Sequence, residues 1–587
     1  MRILRESLLL LLVVAVFTAF LGWPIFQTLR VGFFGVGDSP SFTFGYLGAV
    51  FADPLLRWGL LHSVFIAIAV TLLCTLISVP LAVLGSRFDF KGKSLVNGLL
   101  LVPLILPPFV GAIGMRQILG RFGVFTAIVQ DAGLIAPGTP IDWFGSARIL
   151  GVILVESLSL YPILYLNVSA ALANLDPAME QAAANLGASR WTIFRRITLP
   201  LLRPGLFAGG TIVLIWSFTE LGTPLMFDYN QVTPVQIFNQ LNQINGSPIP
   251  YALTVVMLLG SAMLYIVGKF VLGRRLDAAV TKASTQSTAR KLGWFRSIPV
   301  ITPFLLVAGL ALLPHVGVIL TSVSGVGTWF DSAVPRIFTA HNYSAALTSD
   351  VTIPSVQRSI EYASMSTVID IALGLVIAFL IVRSTLPNFL KQTVDSVSML
   401  PLAVPGLVMA FGYLAISSRL VIKLGQLPWF KDHTEHKWAL DLLDVHENPT
   451  LILVIAYAMR RIPYVVRSAV AGLEQTPVDL ELAARNLGAS SGMTLRRITL
   501  PLISANLIAG GLLAFAFAML EVSDSLLLAQ PQKYWPITVG IYQLFQRLGD
   551  GPYIASALGV WAMALLTLTI LSANSLLGKR MGAVFRV

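Results

Sequence analysis

The chain has 587 residues, of which 56% are hydrophobic and only 12% charged, with a mean hydropathy of +0.79. Soluble domains carry roughly 25% charge, so composition excludes a soluble globular protein and implies an integral membrane protein. The net charge of +12 reads as membrane topology before nucleic-acid binding, and a single cysteine, Cys74, excludes a disulfide framework and a cysteine-based zinc site.

A helix needs about 20 apolar residues to cross a bilayer. Twelve stretches qualify: 7–29, 60–86, 96–118, 147–172, 204–226, 250–273, 298–320, 359–383, 394–417, 449–471, 505–528 and 553–575. The first follows Arg2 and Arg5, as a secretory signal would. It runs on past Gly22 without a small-residue cleavage site, so it reads as an uncleaved span. Prolines within spans, such as Pro80, Pro314 and Pro463, are tolerated where neighbours satisfy the freed backbone groups.

Between the sixth and seventh spans lies "GRRLDAAVTKASTQSTARKLGWFR" (Gly273–Arg296), basic and rich in Ser and Thr. It divides the chain into a first repeat (1–273), a linker (274–297) and a second repeat (298–587). Lys and Arg concentrate in the segments that lie on the same side as both termini, which places the termini and the linker in the cytoplasm. An even number of spans per half gives both halves one orientation, so the repeat is parallel about an axis along the membrane normal. The expected fold class is all-α, a polytopic bundle of about 12 transmembrane helices in two six-helix repeats.

One inner segment is written twice. Ala178–Leu202 and Asp479–Ile503, 301 positions apart, agree at 15 of 25 positions. An Ala-rich stretch favours helix, and the following Gly187 or Gly488 breaks it. A second short helix then reaches Pro200 or Pro501, which is expected to stop it. A plain amphipathic interfacial helix would also carry basic residues near lipid headgroups, but it does not explain a duplication with glycine, arginines and proline in register.

The segments "EQAAANLGASRWTIFRRITLPL" and "ELAARNLGASSGMTLRRITLPL" resemble the cytoplasmic EAA loop of binding-protein-dependent ABC importer permeases. That resemblance implies the type I transmembrane fold, with two permease units fused in one chain. It implies that each loop is a coupling helix docking on an ATP-binding subunit, so one chain engages two ATPases, which supply ATP and Mg; no cofactor belongs to this chain. The coupling residues it implies are Glu180, Ala182, Ala183, Gly187, Arg195, Arg196 and Pro200, with Glu481, Ala483, Ala484, Gly488, Arg496, Arg497 and Pro501 in the second copy. The residue directly before Ala-Ala departs from the pattern: it is Gln181 in one copy and Leu482 in the other, the acids standing one position earlier. Other implied partners are a periplasmic or lipid-anchored substrate-binding protein and the lipid of a bacterial inner membrane; nucleic acid is not among them. Length, fusion, "ELGTPL" and "RRIPYVVRSA" further resemble the ferric-iron permease group, to which thiamine, polyamine and phosphonate permeases are related.

The chain carries no phosphate loop. "KGKS" (Lys91–Ser94) has Arg87 where the loop's first glycine is required, and it lies between spans rather than after a strand.

Ionisable residues inside spans are costly and point to function. Glu156, Asp370, Arg460 and Arg461 fall near mid-membrane, while Glu220 and Glu521 fall towards the outer third of the fifth and eleventh spans. The two glutamates are 301 apart, the offset of the loops, and Asp524 adds an acid on one side only. These seven residues are candidates for a translocation pathway; internal salt bridges or side chains snorkelling to an interface are the plainer alternative. His433, His436 and His446 cluster in an outer loop with nearby carboxylates, a spacing compatible with metal contact, although solvated loop histidines are commoner. The outer loop "FDYNQVTPVQIFNQLNQINGSP" lacks Lys and Arg and is a candidate for receiving an external partner. An ion-coupled secondary transporter is the rival function, and it leaves the duplicated loops unexplained. A membrane enzyme ranks below both, because no catalytic constellation stands out.

Overall fold

The computed structural model describes every residue except Met1, 36–40, 106, 146–147, 174, 242–246, 273–288, 427–436 and 578–587. Most of the linker, and His433 and His436, lie outside the described residues. The first half contains α1 (Leu4–Phe34), α2 (Pro54–Arg87), α3 (Lys93–Leu101), α4 (Pro108–Leu119) and α5 (Ile149–Ala173). It continues with α6 (Pro177–Asn185), α7 (Arg203–Thr219) and α8 (Ile249–Leu272). The second half repeats the order: α9 (Trp294–Ser322), α10 (Thr352–Val382), α11 (Asn388–Met399), α12 (Gly406–Gly425) and α13 (Thr450–Gln475). It closes with α14 (Val478–Asn486), α15 (Leu500–Met519) and α16 (Gly551–Leu577). The fold is all-α and polytopic.

By length and composition, 10 helices among the described residues suffice to cross a membrane, or 11 if the bent pair Arg190–Leu201 and Arg203–Thr219 is one span. The sequence predicts twelve. The remaining one is α13, which is 26 residues long but carries Arg460, Arg461 and Arg467. It packs between α10 and α15.

Four expected spans are not continuous. The stretch 96–118 breaks at Val102–Ile105, a 3₁₀ turn between α3 and α4, and 394–417 breaks at Leu400–Leu402 between α11 and α12. Pro80, Pro314 and Pro463 each sit inside an unbroken helix. Pro103, Pro107 and Pro108 stand at the first break and Pro401 and Pro405 at the second, each proline removing one backbone N–H, although α9 runs unbroken through Pro299 and Pro303 at the same spacing as Pro401 and Pro405. The stretches 204–226 and 505–528 end early, at Thr219 and Met519, each followed by a short helix, Gly222–Met226 or Ser523–Leu528.

Each half is a bundle: α2, α5 and α7 in the first, α10, α13 and α15 in the second. The leading helices cross over. α1 packs on α10 and α12 of the second half, while α9 packs on α4 of the first. Helices in lipid associate through close packing at small residues, and both crossings use a glycine. A Cβ on Gly114 would lie 2.2 Å from the Pro314 carbonyl oxygen, and one on Gly412 would lie 2.3 Å from that of Pro24. Hydrogen bonds pin the α1 crossing: Tyr413 Oη donates to Phe20 O at 2.6 Å, and Thr28 Oγ1 donates to Val408 O at 3.1 Å. A short parallel pair, Phe88–Asp89 with Arg290–Lys291, ties the segment between α2 and α3 to the entry of the second half.

Candidate functional site

The two duplicated loops share one backbone design. α6 starts at Asp176, whose carboxylate accepts from Ala178 N at 2.9 Å, and it ends at Gly187, where φ is +81°. The Ala188 N–H then reaches back to Ala183 O at 3.0 Å, a bond that satisfies an orphan carbonyl at the helix end. In the second copy Gly488 has φ +87°, and Ala489 N donates to Ala484 O at 3.0 Å. Nothing lies within 4 Å of a Cβ built on either glycine. Glycine is needed there for its left-handed backbone alone. Ser189 and Ser490 cap the next short helix, accepting from Thr192 N at 3.2 Å and Met493 N at 3.3 Å.

The chain then runs through a π-helical turn in each copy, Phe194–Thr198 and Leu495–Thr499. In the second copy the expectation that the proline stops the helix is overturned: Pro501 lies within the helical run Ser491–Met519, directly after the π-helical turn. In the first, the run Arg190–Leu201 ends one residue past Pro200. The copies differ just beyond: the chain bends by 64° before α7 in the first, where Pro204 stands in place of Ala505.

Arg195, Arg196, Arg496, Arg497, Ala182 and Ala483 are exposed, whereas Ala183 and Ala484 are half-buried. Glu180 and Glu481 turn inwards. Glu180 Oε1 lies 2.9 Å from Arg87 Nη2 and accepts from the Thr198 hydroxyl; Glu481 Oε1 lies 3.1 Å from Arg383 Nε, with both side chains buried. The tip of each loop is instead apolar: Leu186 is 88% exposed and Leu487 89%.

Between the halves lies a cavity of about 220 Å³. The two proline breaks wall it, contributing Pro103, Pro107, Pro401 and Pro405, and Glu220, Glu521, Arg460 and Arg461 line it. Both glutamates sit just beyond a helix end, where the following short helix offers N–H groups: Thr223 N to Glu220 Oε1 at 3.4 Å, Asp524 N to Glu521 Oε1 at 3.5 Å. The backbone break is therefore what turns these carboxylates towards the cavity.

Their electrostatics differ. Arg460 Nη1 lies 2.7 Å from Glu521 Oε1 and 3.4 Å from Asp524 Oδ2, and Arg461 Nη2 pairs with Glu521 Oε2. Gly406 leaves room for this guanidinium, since a Cβ there would lie 2.0 Å from Arg460 Nη1. At the matching positions of the first half stand Ser159 and Leu160. Glu220 is held by neutral donors, the Trp216 indole N–H at 3.1 Å and Thr223 N.

Residues 74–277 and 370–582 match the family described as binding-protein-dependent transport system inner membrane component. The chain belongs to this family. It is the permease subunit of an ABC importer. The ferric transport system permease protein of Actinobacillus pleuropneumoniae is 26% identical over 528 residues, 88% of this chain and 71% of that one. A putative ferric transport system permease protein of Haemophilus influenzae is 26% identical over 472 residues, covering 79% and 68% respectively. A molybdenum transport system permease protein of Mycobacterium bovis aligns with 37% of this chain and 80% of its own length, at 29% identity.

Of the seven intramembrane candidates, the permease brings Glu220, Glu521, Arg460 and Arg461 to one cavity, with Asp524 buried behind Arg460. Glu156 and Asp370 are not in its wall. Glu156 is buried between α5 and α7, where it accepts from the Ser217 hydroxyl. Asp370 is fully buried on α10, and neither carboxylate oxygen has a hydrogen-bond partner among the described residues. Helical spacing put these two at the right depth, but they face into their own half. His446 Nδ1 lies 3.1 Å from Gln530 Oε1, and among the described residues no group of three or more His, Cys, Asp or Glu is placed to hold an ion. In the outer loop singled out from sequence, Asp228 ion-pairs with Arg116 at 3.0 Å and Arg148 at 2.9 Å.

Sequence reasoning missed Arg87 and Arg383, the partners of the loop glutamates. They are 296 apart rather than 301, so the register of the loops did not reach them; their place at the C-terminal ends of α2 and α10 was the available signal. It also missed Leu186 and Leu487, which the aligned "NLGAS" contains in both copies.

Proposed function

We propose that this permease carries ferric iron across a bacterial inner membrane, delivered by a periplasmic or lipid-anchored binding protein and driven by two ATP-binding subunits. The observation that carries the substrate is the similarity, through both halves, to relatives named for ferric transport. The cavity supports a cation: its three arginines, Arg460, Arg461 and Arg467, are already paired with acids, and Glu220 stands opposite without a basic partner among the described ion pairs. A cation shed by the binding protein would meet that carboxylate first.

In this reading both termini and the linker 274–297 are cytoplasmic, as the distribution of Lys and Arg supports. The duplicated loops then face the cytoplasm, where Leu186 and Leu487, each at a glycine turn, project as apolar knobs for one ATPase subunit apiece. ATP binding closes the ATPase pair, the loops carry that motion into the helices, and the cavity changes its side of access by rigid-body movement. ATP and Mg act on the partner subunits.

The test is purification of the permease with its ATPase and binding protein in lipid nanodiscs, followed by ATP hydrolysis against a solute panel. Ferric-loaded binding protein is expected to stimulate hydrolysis above the unloaded protein. Stimulation by molybdate, thiamine, a polyamine or a phosphonate instead would overturn the substrate, and failure to form a complex with any ATPase would overturn the coupling reading.

A further inference from the structure

Arg87 ends α2, and Arg383 follows the last residue of α10. Each reaches across to the glutamate of its own loop helix, α6 or α14, at 2.9 Å and 3.1 Å. Neither arginine belongs to the duplicated loop, and the segment between arginine and glutamate differs in length, 93 positions in one half and 98 in the other. The same contact has therefore been kept through different spacing. In the first half, Arg87 Nη2 also lies 3.5 Å from Thr198 Oγ1, in the π-helical turn that follows the loop. In the second, Arg383 Nη2 donates to Leu473 O at 2.9 Å and Thr476 O at 2.7 Å, at the end of α13.

The chain itself joins each loop to two helices, α5 and α7 or α13 and α15. The arginine adds the third, α2 or α10, which packs on both of the others. A loop held only through its chain connections can tilt while that third helix stays behind; a charged hydrogen bond at its inner end removes this freedom. We propose that Arg87 and Arg383 are positioning struts that make each loop and its three helices move as one body. The proposal rests on the reading of the loops as the ATPase contact. The struts are unequal: Arg383 and Glu481 are 8% and 7% exposed, against 34% and 33% for Arg87 and Glu180. The second half is the stiffer transmitter.

The experiment uses the full complex in nanodiscs with a Cys74→Ser background and spin labels on lipid-exposed positions. The pair Leu72 and Leu12 reports α2 against α1, and Met365 with Leu306 reports α10 against α9; in each pair the reference helix packs on the other half. The distance shift between nucleotide-free and ATP–vanadate states is measured, together with uptake of radiolabelled ferric iron per ATP hydrolysed. In R383M the ATPase is expected to stay bound, while the Met365–Leu306 shift falls to roughly half and uptake per ATP falls about fivefold. R383K is expected to recover part of both, because lysine can reach Glu481 but cannot serve the two carbonyls as well.

R87M, at the half-exposed pair, tolerates the loss without threat to folding and is expected to cost about twofold in uptake per ATP, with a smaller Leu72–Leu12 shift. Wild-type shifts and uptake ratios in R383M and R87M would overturn the proposal. So would loss of the ATPase from both R383M and R383K, since that is the mark of a fold defect. The displacement needs no solute, so a wrong substrate shows in the uptake arm alone. A wrong reading of the loops shows separately, as an ATPase that stays bound to the Gly187→Asp, Gly488→Asp double variant.

Discussion

At the scale of single residues, identical sequence letters carry unequal physics in the two halves. Glu220 and Glu521 occupy matched breaks, yet only Glu521 is clasped by two guanidinium groups. Removing one member of a buried ion pair leaves the other uncompensated, so E521Q is expected to destabilise the permease by about 3–5 kcal/mol, read as a lowered Tm in nanodiscs. E220Q exchanges a carboxylate held by neutral donors for an amide and should leave the Tm near wild type while uptake falls. Equal Tm losses in the two variants would contradict the asymmetry. Gly187 and Gly488 make the opposite point, since both are in open space with positive φ. Alanine at either should strain the turn by about 1–2 kcal/mol and weaken ATPase binding to a similar degree at both, measurable by titration of the ATPase onto nanodisc-held permease.

At the scale of elements, proline and glycine decide where helices break and where they touch. Lone prolines are absorbed in α2, α5 and α13, and α9 stays unbroken through Pro299, Pro303 and Pro314, whereas the prolines of 103–108 and 401–405 stand at two matched breaks and wall the cavity. Hydropathy alone does not separate these outcomes, because the same apolar residues continue on both sides of each break. Gly114 and Gly412 let α4 and α12 meet α9 and α1 backbone to backbone. Leucine at either position would have to displace a carbonyl and is expected to cost about 3 kcal/mol or more. The check is loss of a monodisperse peak on size exclusion; Leu at Gly98, where nothing lies within 4 Å, is the control.

At the scale of the whole molecule, the leading helices cross between the halves. α1 packs on α12 and α10 of the second half as well as on α8 of its own, and α9 packs on α4 of the first half as well as on α16 of its own. A protease site placed within 274–288 should therefore give two fragments that stay together in mild detergent and still bind ATPase. Separation of the fragments would show that covalent linkage, rather than the crossing, holds the permease together. With both loops in one chain, native mass spectrometry of the complex is expected to find two ATPase subunits per permease; one or four would contradict it.

Apolar runs, the duplicated loops, the glycines at their turns and the matched glutamates were all legible in the sequence, because each depends on local properties: hydropathy over a few turns, or a backbone angle that one residue type adopts freely. The tertiary structure decided which acids meet the cavity and which stay inside a half, what holds the loop glutamates, and which half each leading helix serves. Those outcomes turn on pairs such as Arg87 with Glu180, 93 positions apart, and Phe20 with Tyr413, 393 apart. A span's own residues set its depth in the membrane; the direction a side chain faces is settled by the helix packed against it.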